Sequence, residues 1–326
     1  MNFQKIAPVD QATQILDIAF RKAREKGKNK ALHGNWLQKI RSKESLKLDF
    51  IKDRINTTLE KIIADFPKYI ELPQFYQKLM PLTLDVDKFR ISLGKLNQAT
   101  RNIFKLHKTF VSAITKSTTK EEINSLSTQF YGRLSSIIKK INPHLLDLEK
   151  YRRIMRNYPD IKEMFTVCIY GFPNVGKSTL LNKLTTSKAE VAAYAFTTKS
   201  INAGYLKVGE QKVQILDVPG TLARKEKMNN IELQAELVAK DVANIIIYVF
   251  DLTENCGYSV KKQEQLYNNL SKNKEILVYL SKKDLLDAKK VAEFKYPNYT
   301  FEEIKEKILQ LNLQSSKEEH QENPED

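Results

Sequence analysis

The fold of this chain is decided by a stretch near its middle that reads Gly171, Phe172, Pro173, Asn174, Val175, Gly176, Lys177, Ser178 and Thr179. The stretch matches a phosphate-binding loop of the form G-x-x-x-x-G-K-S, whose glycines allow backbone conformations that side chains would block. In such a loop the backbone N–H groups surround phosphate oxygens. The lysine reaches the terminal phosphates, and the serine hydroxyl can bind magnesium.

The segments on either side favour this interpretation over a glycine-rich turn without a ligand. Residues 165–170 (Phe-Thr-Val-Cys-Ile-Tyr) form a short apolar run that is typical of a buried strand. Residues 177–185 predict a helix whose N-terminus would face the phosphates. A strand, this loop and a helix in that order are the expected context of a nucleotide-phosphate site.

Strand and helix patterns alternate after the loop. Residues 203–208 and 212–217 predict a hairpin around 209–211, and the bulky, β-branched runs at 244–251 and 275–281 predict two more strands. Helices fill the intervals, so we expect a mostly parallel sheet of the α/β class.

The first half of the chain predicts a bundle of about five to seven helices. Apolar residues recur every three or four positions in 51–66, and Thr119 with Glu122 fits a capping box. The polar residues from 314 onward predict a disordered tail. We therefore expect a helical domain over 1–160, a phosphate-binding domain over 161–313 and a tail over 314–326.

The positive charge of the chain is confined to its first half. Residues 1–160 carry 31 basic and 16 acidic residues, whereas 161–326 carry 23 of each, for a net charge of +15. This asymmetry indicates a polyanionic partner for the helical domain, nucleic acid above all, although lysine-rich solvated helix faces would give the same count. The candidate phosphate contacts are the basic run at 21–30 and the group Arg152, Arg153 and Arg156.

Other features of the composition bear on location. No apolar run approaches the roughly 18 residues that span a bilayer, and the first residues lack the apolar core of a signal peptide. Cys168 and Cys256 have no metal-ligand spacing and are interpreted as reduced thiols. The sequence predicts a cytoplasmic protein that does not bind membranes.

Two further segments suit the binding of magnesium and the γ-phosphate. Asp217, Val218, Pro219 and Gly220 follow a predicted strand, where the aspartate can hold a magnesium-bound water and the glycine N–H can donate to the γ-phosphate. Thr197 and Thr198 precede them, and a threonine there can complete the magnesium shell. We favour Thr198. The predicted metal ligands are therefore Ser178, Thr198 and Asp217, and Lys177, Thr198 and Gly220 are the predicted catalytic residues.

A last segment suits a purine base. Ser281, Lys282 and Asp284 follow the strand at 275–281, in the place of an Asn-Lys-x-Asp motif. The carboxylate of Asp284 can accept hydrogen bonds from N1–H and N2–H of guanine, whereas adenine has no such pair of donors there. The stem of Lys282 can cover the base. The alternative role for Asp284 is the N-cap of a following helix.

These motifs, in this order, are those of GTPases and resemble the Obg-related group. The stretch Phe-Asp-Leu-Thr-Glu-Asn-Cys-Gly-Tyr-Ser at 250–259 is similar to the Nog type, the nucleolar GTP-binding family and its archaeal relatives. In the first half, Tyr-Gly-Arg-Leu-Ser-Ser at 131–136 and Arg152-Arg153 resemble that family's helical domain. The resemblance extends to about residue 312.

The resemblance implies a fold and a function. The fold is an all-helical bundle followed by a P-loop GTPase domain, with GTP or GDP and Mg²⁺ as ligands. The function is assembly of the large ribosomal subunit, with the helical domain on the rRNA of the precursor. We expect a monomer off the ribosome. Asn174 is the position that helps hold K⁺ in potassium-activated relatives, although a plain loop role is equally compatible with the sequence.

Three departures from the family pattern limit what the resemblance implies. Ser281 replaces the usual asparagine, no clear sixth strand or Ser-Ala-type loop follows Asp284, and Thr221 stands where a glutamine could orient water. Slow hydrolysis is therefore expected. The alternatives are a non-catalytic RNA-binding assembly scaffold with a degenerate nucleotide site, and an ATPase with a relaxed base pocket.

Overall fold

The computed structural model describes residues 3–26, 34–185, 201–221, 230–270 and 274–322. The chain divides into two compact units. One consists of Phe3–Glu71 and Leu84–Arg156, and the other consists of Leu72–Thr83 together with the chain from Asn157 onward.

The helical half contains six α-helices within the described ranges. They are α1 (Ala12–Lys26), α2 (Trp36–Asp65), α3 (Gln74–Thr83), α4 (Val86–Lys116), α5 (Lys120–Lys140) and α6 (Asn142–Met155). The apolar repeat predicted at 51–66 is the buried stripe of α2, which includes Ile51, Ile55 and Leu59. Thr119 caps α5 by accepting a hydrogen bond from the N–H of Glu122 at 3.2 Å, as its sequence predicts.

Helix α3 belongs to the second unit, although its sequence lies within the first half of the chain. The hydroxyl of Tyr76, which is 1% exposed, donates to the carbonyl oxygen of Pro159 at 2.7 Å and accepts from the N–H of Ile161 at 3.0 Å. Lys78 pairs with Asp241 at 2.6 Å. The sequence placed 72–83 in the bundle, because periodicity shows that a helix face is buried but not what covers it.

The second unit contains the predicted mostly parallel sheet. Its strands are β1 (Thr166–Tyr170), β2 (Asn202–Val208), β3 (Gln211–Asp217), β4 (Ile245–Phe250) and β5 (Glu275–Leu280), in the spatial order β2-β3-β1-β4-β5. The hairpin β2–β3 is antiparallel, and the other neighbours are parallel. Strands β1 and β4 are buried along their whole length, which explains their uninterrupted apolar sequences.

The described helices around the sheet are α7 (Lys177–Leu184), α8 (Asn230–Leu237), α9 (Val260–Asn268), α10 (Ala288–Ala292) and α11 (Phe301–Glu322). A π-helical turn, Val238–Val242, continues α8. Thr300 and Glu303 form a capping box at the start of α11.

Residues 314–322 of the predicted disordered tail are helical, because α11 continues to Glu322, and residues 323–326 lie outside the described residues. Polarity in this segment argues against burial in a core, but glutamine, glutamate and lysine are good helix formers. A polar composition alone therefore did not distinguish an unfolded tail from a helix extension.

The sheet topology decides where ligands can meet. The carboxyl ends of β1, β3, β4 and β5 lead into residues 171, 217–220, 251 and 281, respectively. Because parallel strands end at a common edge, these four segments converge at the edge where open α/β sheets bind ligands.

Candidate functional site

The loop after β1 has the backbone that its glycines predict. Gly171, Asn174 and Gly176 have φ angles of +148°, +61° and +96°. A Cβ on Gly171 would lie 2.8 Å from the carbonyl oxygen of Val249, so both conformation and space require glycine there. The remaining side chains differ in exposure: Phe172 and Val175 are buried, Pro173 is half-buried, and Asn174 and Thr179 are exposed.

Lys177 opens helix α7 directly after Gly176. Its side chain is 7% exposed, and Nζ donates to the carbonyl oxygen of Phe172 at 2.8 Å. The cation therefore lies along the loop that it would serve. The first N–H groups of α7 have no carbonyl partner within the helix, so they can donate to an anion.

Ser178 and Asp217 meet although they are 39 positions apart in sequence. Ser178 Oγ donates to Asp217 Oδ2 at 2.5 Å. The other carboxylate oxygen, Oδ1, is buried and accepts no hydrogen bond among the described residues. Burial raises the pKa of Asp217, and the Ser178 hydroxyl, the Lys177 charge and a side-chain hydrogen bond with Asn202 only partly offset that rise.

This pair fits magnesium, which prefers hard oxygen ligands. A buried carboxylate oxygen without a partner beside a hydroxyl is a donor set that a divalent cation would satisfy. Ser178 and Asp217 are the described residues that would hold the ion. Thr198, the third predicted ligand, lies outside the described residues, as does Thr197.

The segment after β3 lies against the phosphate-binding loop. A Cβ on Gly220 would be 2.3 Å from the backbone nitrogen of Pro173, so the two backbones are in contact. Val218 and Pro219 are buried. Thr221, which follows Gly220, is 1% exposed and buried in the protein.

The segment after β5 approaches the same loop from the other side. A Cβ on Gly176 would lie 3.5 Å from the Cβ of Ser281. Ser281 Oγ donates to the carbonyl oxygen of Phe250 at 3.0 Å. Lys282 has φ +53°, and its Nζ donates to Asp251 Oδ2 at 2.6 Å.

Asp284 is exposed within the short 3-10 turn Lys283–Leu285. No side-chain capping bond is made at that turn, and Asp287, not Asp284, occupies the N-cap of α10. The alternative helix-cap role of Asp284 therefore has no support in the part of the chain that the structure describes. Its carboxylate remains the predicted contact for a base.

Asp251 is the strongest feature of this region that is absent from the predicted site residues. It follows β4, is fully buried and binds Lys282 of the base segment. An aspartate directly after a buried strand that is parallel to β1 is the sequence signal that could have indicated it.

The sixth strand is reduced to a single bridge. Tyr299 pairs with Tyr279 of β5, and its N–H donates to the carbonyl oxygen of Val278 at 2.9 Å. Thr300 then begins α11 at once. Within 274–322, this bridge is the only strand pairing after β5, at the place where a sixth strand and a base loop would be expected. Lys283 Nζ also contacts Asn298 at 3.2 Å.

The predicted phosphate contacts of the helical half are not equivalent. Arg152 is 7% exposed and binds both oxygens of Glu149, at 2.7 and 2.8 Å. These bonds to Arg152 are the main reason that the pKa of Glu149 falls to about 2. Arg152 is thus a structural residue and was wrongly placed among the phosphate contacts. Arg153 also donates to Glu149, at 2.9 Å, but its side chain is 73% exposed.

Comparison with known proteins identifies the family. A family model described as the NOG1 N-terminal helical domain matches residues 3–162, and one described as a 50S ribosome-binding GTPase matches residues 166–282. The chain belongs to the Nog-type GTPases. It is a GTP-binding protein with a helical N-terminal domain and a P-loop GTPase domain, as its motifs predicted.

Relatives of this Nog-type chain occur in archaea and eukaryotes. It is 37% identical to an uncharacterized protein of Methanocaldococcus jannaschii, over 78% of this chain and 73% of that protein. Nucleolar GTP-binding protein 1 of Drosophila melanogaster is 31% identical, over 90% of this chain and 46% of the relative. The Arabidopsis thaliana protein of the same name is 27% identical, over 97% and 48%.

Two facts follow for the Nog-type chain. It spans about half the length of the named eukaryotic relatives. The expected cytoplasmic location is wrong in the light of their names, since the nucleolus lies within the nucleus. The composition of the chain does not distinguish cytoplasm from nucleus. None of the described helices combines the length and apolarity that crossing a bilayer needs.

Proposed function

We propose that the chain binds GTP with Mg²⁺, hydrolyses it slowly and acts in assembly of the large ribosomal subunit. The nucleotide would occupy 171–179, 217–220 and 281–284, with the phosphates at the first two segments and the base at the third. The protein would work as a monomer until it joins the precursor particle.

The observation that carries this proposal is the Ser178–Asp217 pair beside the phosphate-binding loop. The Asp217 carboxylate is buried with one unpartnered oxygen, which is costly without a cation, and the Ser178 hydroxyl lies beside it. Their position next to Lys177 and the first turn of α7 places cation ligands where the phosphates of a bound nucleotide would need them.

Hydrolysis would proceed by in-line attack of water on the γ-phosphate. Lys177 would leave the Phe172 carbonyl to bind phosphate oxygens, and the Gly220 N–H would donate to the γ-phosphate. Bound Mg²⁺ would offset the negative charge of the phosphates. Thr221 is buried and cannot act as a base, so slow turnover is expected, with the ribosomal particle supplying what the chain lacks.

The positively charged half would bind rRNA of the precursor. Residues 1–160, apart from the 72–83 segment that belongs to the other unit, carry the excess of basic residues. Exposed cations such as Arg153 suit phosphate contacts, which give affinity without reading sequence. Asn174 would help hold a K⁺ ion near the phosphates, because its side chain is exposed on the phosphate-binding loop.

Equilibrium binding of fluorescent GDP to the full chain, with and without Mg²⁺, tests the nucleotide part. Micromolar binding that is lost in Lys177→Ala is expected. Co-sedimentation with large-subunit particles, with and without a non-hydrolysable GTP analogue, tests the ribosomal part. Nucleotide-dependent sedimentation is expected, and an unchanged particle profile with either nucleotide would contradict it.

One observation favours the scaffold alternative. Between α10 and α11, the described chain adds only the Tyr279–Tyr299 bridge to the sheet, so the base is offered few contacts from that side. Absence of GDP, GTP and ATP binding at millimolar concentration, together with intact particle binding, would establish the scaffold. Equal affinity for ATP and GTP would instead indicate the relaxed ATPase.

A further inference from the structure

The base segment is attached to the rest of the domain through one buried carboxylate. Asp251 is 0% exposed. Its Oδ1 accepts from the backbone N–H and the hydroxyl of Thr253, and its Oδ2 accepts from the N–H of Cys256 at 2.9 Å and from Lys282 Nζ at 2.6 Å. Both oxygens therefore have two partners.

The charge of Asp251 is balanced within this cluster. Burial by itself would raise the pKa of Asp251, but the hydrogen bonds from Lys282 and Thr253 outweigh burial, so the pKa is lowered. The carboxylate is thus ionised at neutral pH and forms an ion pair with Lys282. Removal of one partner of a buried pair leaves an uncompensated charge. Separating Lys282 from Asp251 is therefore costly, and the pair holds the two segments together.

Lys282 is constrained at both ends. Its backbone is in the left-handed region at φ +53° and ψ +34°, which is unfavourable for a residue with a side chain. Its side chain is held by Asp251. Asp284 lies two residues later, within the 3-10 turn that Lys282 precedes, so a shift of Lys282 would also move the backbone that carries Asp284.

The segment that carries Asp251 is itself fixed to the phosphate side. Gln263 of α9 is fully buried, accepts from the N–H of Asp251 at 2.9 Å and donates to the carbonyl oxygens of Asp251 and Tyr258. The ring of Tyr258 lies 4.7 Å from that of Phe172, centroid to centroid. The base segment is therefore linked through 251–258 to the phosphate-binding loop.

Ser281 does not make such a link with its side chain. Its hydroxyl donates to the carbonyl oxygen of Phe250 on β4, and its side chain is too short to reach far from its own backbone. A longer amide side chain at position 281 could connect the base segment to its neighbours. In this chain the Asp251–Lys282 pair makes that connection.

We propose that Asp251 is a positioning residue for guanine selection: by holding Lys282, it aims Asp284 at the base edge. This inference rests on the proposed nucleotide site and adds a residue to it. Asp251 acts through Lys282 and makes no contact with the base itself. Its loss should therefore reduce discrimination between bases more than it reduces attachment of the phosphates.

The test compares GDP with IDP, whose base lacks the amino group that a carboxylate at 284 would read. We expect the wild-type chain to prefer GDP by about tenfold or more, the value of one hydrogen bond to a charged group. Asp251→Asn and Lys282→Met should each bring this ratio close to one. The double variant should be no worse than either, because both changes break the same pair. Lys78→Met, which breaks a Lys–Asp pair of 2.6 Å with Asp241 outside the nucleotide segments, is the matched control and should keep the ratio.

The outcomes separate this role from others. A general loss of structure would lower GDP and IDP affinity equally and would shift the thermal midpoint, and such a result overturns the positioning role. Lys282→Met changes a partly exposed residue and gives the same answer should Asp251→Asn fail to fold. An unchanged GDP-to-IDP ratio in both variants refutes the inference but leaves the GTPase proposal intact. Absence of GDP binding by the wild-type chain refutes both.

Discussion

The two ends of the candidate nucleotide site are built differently. At the phosphate end, the loop 171–179 uses backbone geometry: three positive φ angles, a glycine packed on the Val249 carbonyl and the first turn of α7. At the base end, residues 281–284 depend on side chains that distant residues hold in place, above all Asp251. The phosphate end follows its motif closely, whereas the base end departs from it.

This difference explains why the phosphate end and the base end tolerate amino-acid substitutions to different degrees. Backbone N–H groups are supplied by any residue, so a phosphate site mainly needs particular glycines, one lysine and one serine at fixed spacing. A base edge is read by side chains, whose positions depend on contacts from several parts of the fold. A base site can thus be rebuilt with different residues, and its motif is correspondingly weaker.

The largest expected effect removes the charge at the phosphate end. Lys177→Ala should weaken GDP binding by about a hundredfold or more, because it removes two charge-assisted hydrogen bonds of about 1.5 kcal/mol or more each. Titration of fluorescent GDP measures this loss. Lys183→Ala, an exposed lysine of the same helix, should bind as the wild type does. A Lys177→Ala variant of normal affinity would show that the loop does not hold phosphates.

The next effect concerns the base end. Asp284→Asn replaces an acceptor with an amide that can also donate, so it should lower GDP affinity about tenfold and raise affinity for XDP, whose base carries an acceptor in place of the amino group. Competition titrations give both constants. Asp287→Asn, at the exposed N-cap of α10, is the control. Equal changes in the two variants would exclude a base contact at Asp284.

A smaller effect tests whether the phosphate end depends on backbone shape. Gly171→Ala should destabilise the second unit by about 1–3 kcal/mol, because φ is +148° and the new Cβ would approach the Val249 carbonyl oxygen. Gly209→Ala shares a positive φ of +59° but would meet no atom within 4 Å. The difference between the two midpoints in urea denaturation isolates the close approach. Identical midpoints would argue that the loop relaxes freely.

The smallest expected effect is a difference in pH dependence between Mg²⁺-assisted phosphate binding and base discrimination. Burial raises the pKa of Asp217, so a proton should compete increasingly with Mg²⁺ as pH falls from 7 towards that pKa. The pKa of Asp251 is lowered, so its pair with Lys282 should persist over the same range. The Mg²⁺-dependent gain in GDP affinity should therefore decline several-fold from pH 7 to 5, whereas the GDP-to-IDP ratio stays constant.

Asp217→Asn is the control for this pH series. It should remove most of the Mg²⁺-dependent gain at every pH, and the pH dependence with it. If the Mg²⁺-dependent gain in GDP affinity falls equally with pH in the variant, the pH dependence comes from the nucleotide phosphates. If the GDP-to-IDP affinity ratio falls together with that gain, the phosphate end and the base end are not independent.

The architecture could be predicted from local patterns along the chain. The loop 171–179, the apolar runs and the capping box at Thr119 predicted the order of strands and helices, because these signals are local and reflect backbone geometry and burial. The prediction of disorder after residue 314 was wrong for 314–322, since polarity excludes a core position but not a helix. The site residues at 171–179, 217–220 and 281 were brought to one edge by parallel strands, a consequence of topology that the motif order had implied.

Two features became visible only in the three-dimensional structure. They are the distant residues that support the site and the assignment of 72–83 to the second unit. Asp251 is one aspartate among many in the sequence, and its importance follows from burial and from Lys282 reaching it across 31 positions. The transfer of 72–83 to the second unit depends on the Tyr76 hydroxyl, which binds the backbone at 159 and 161. Both depend on long-range contacts between side chains, which periodicity and spacing along one chain do not encode.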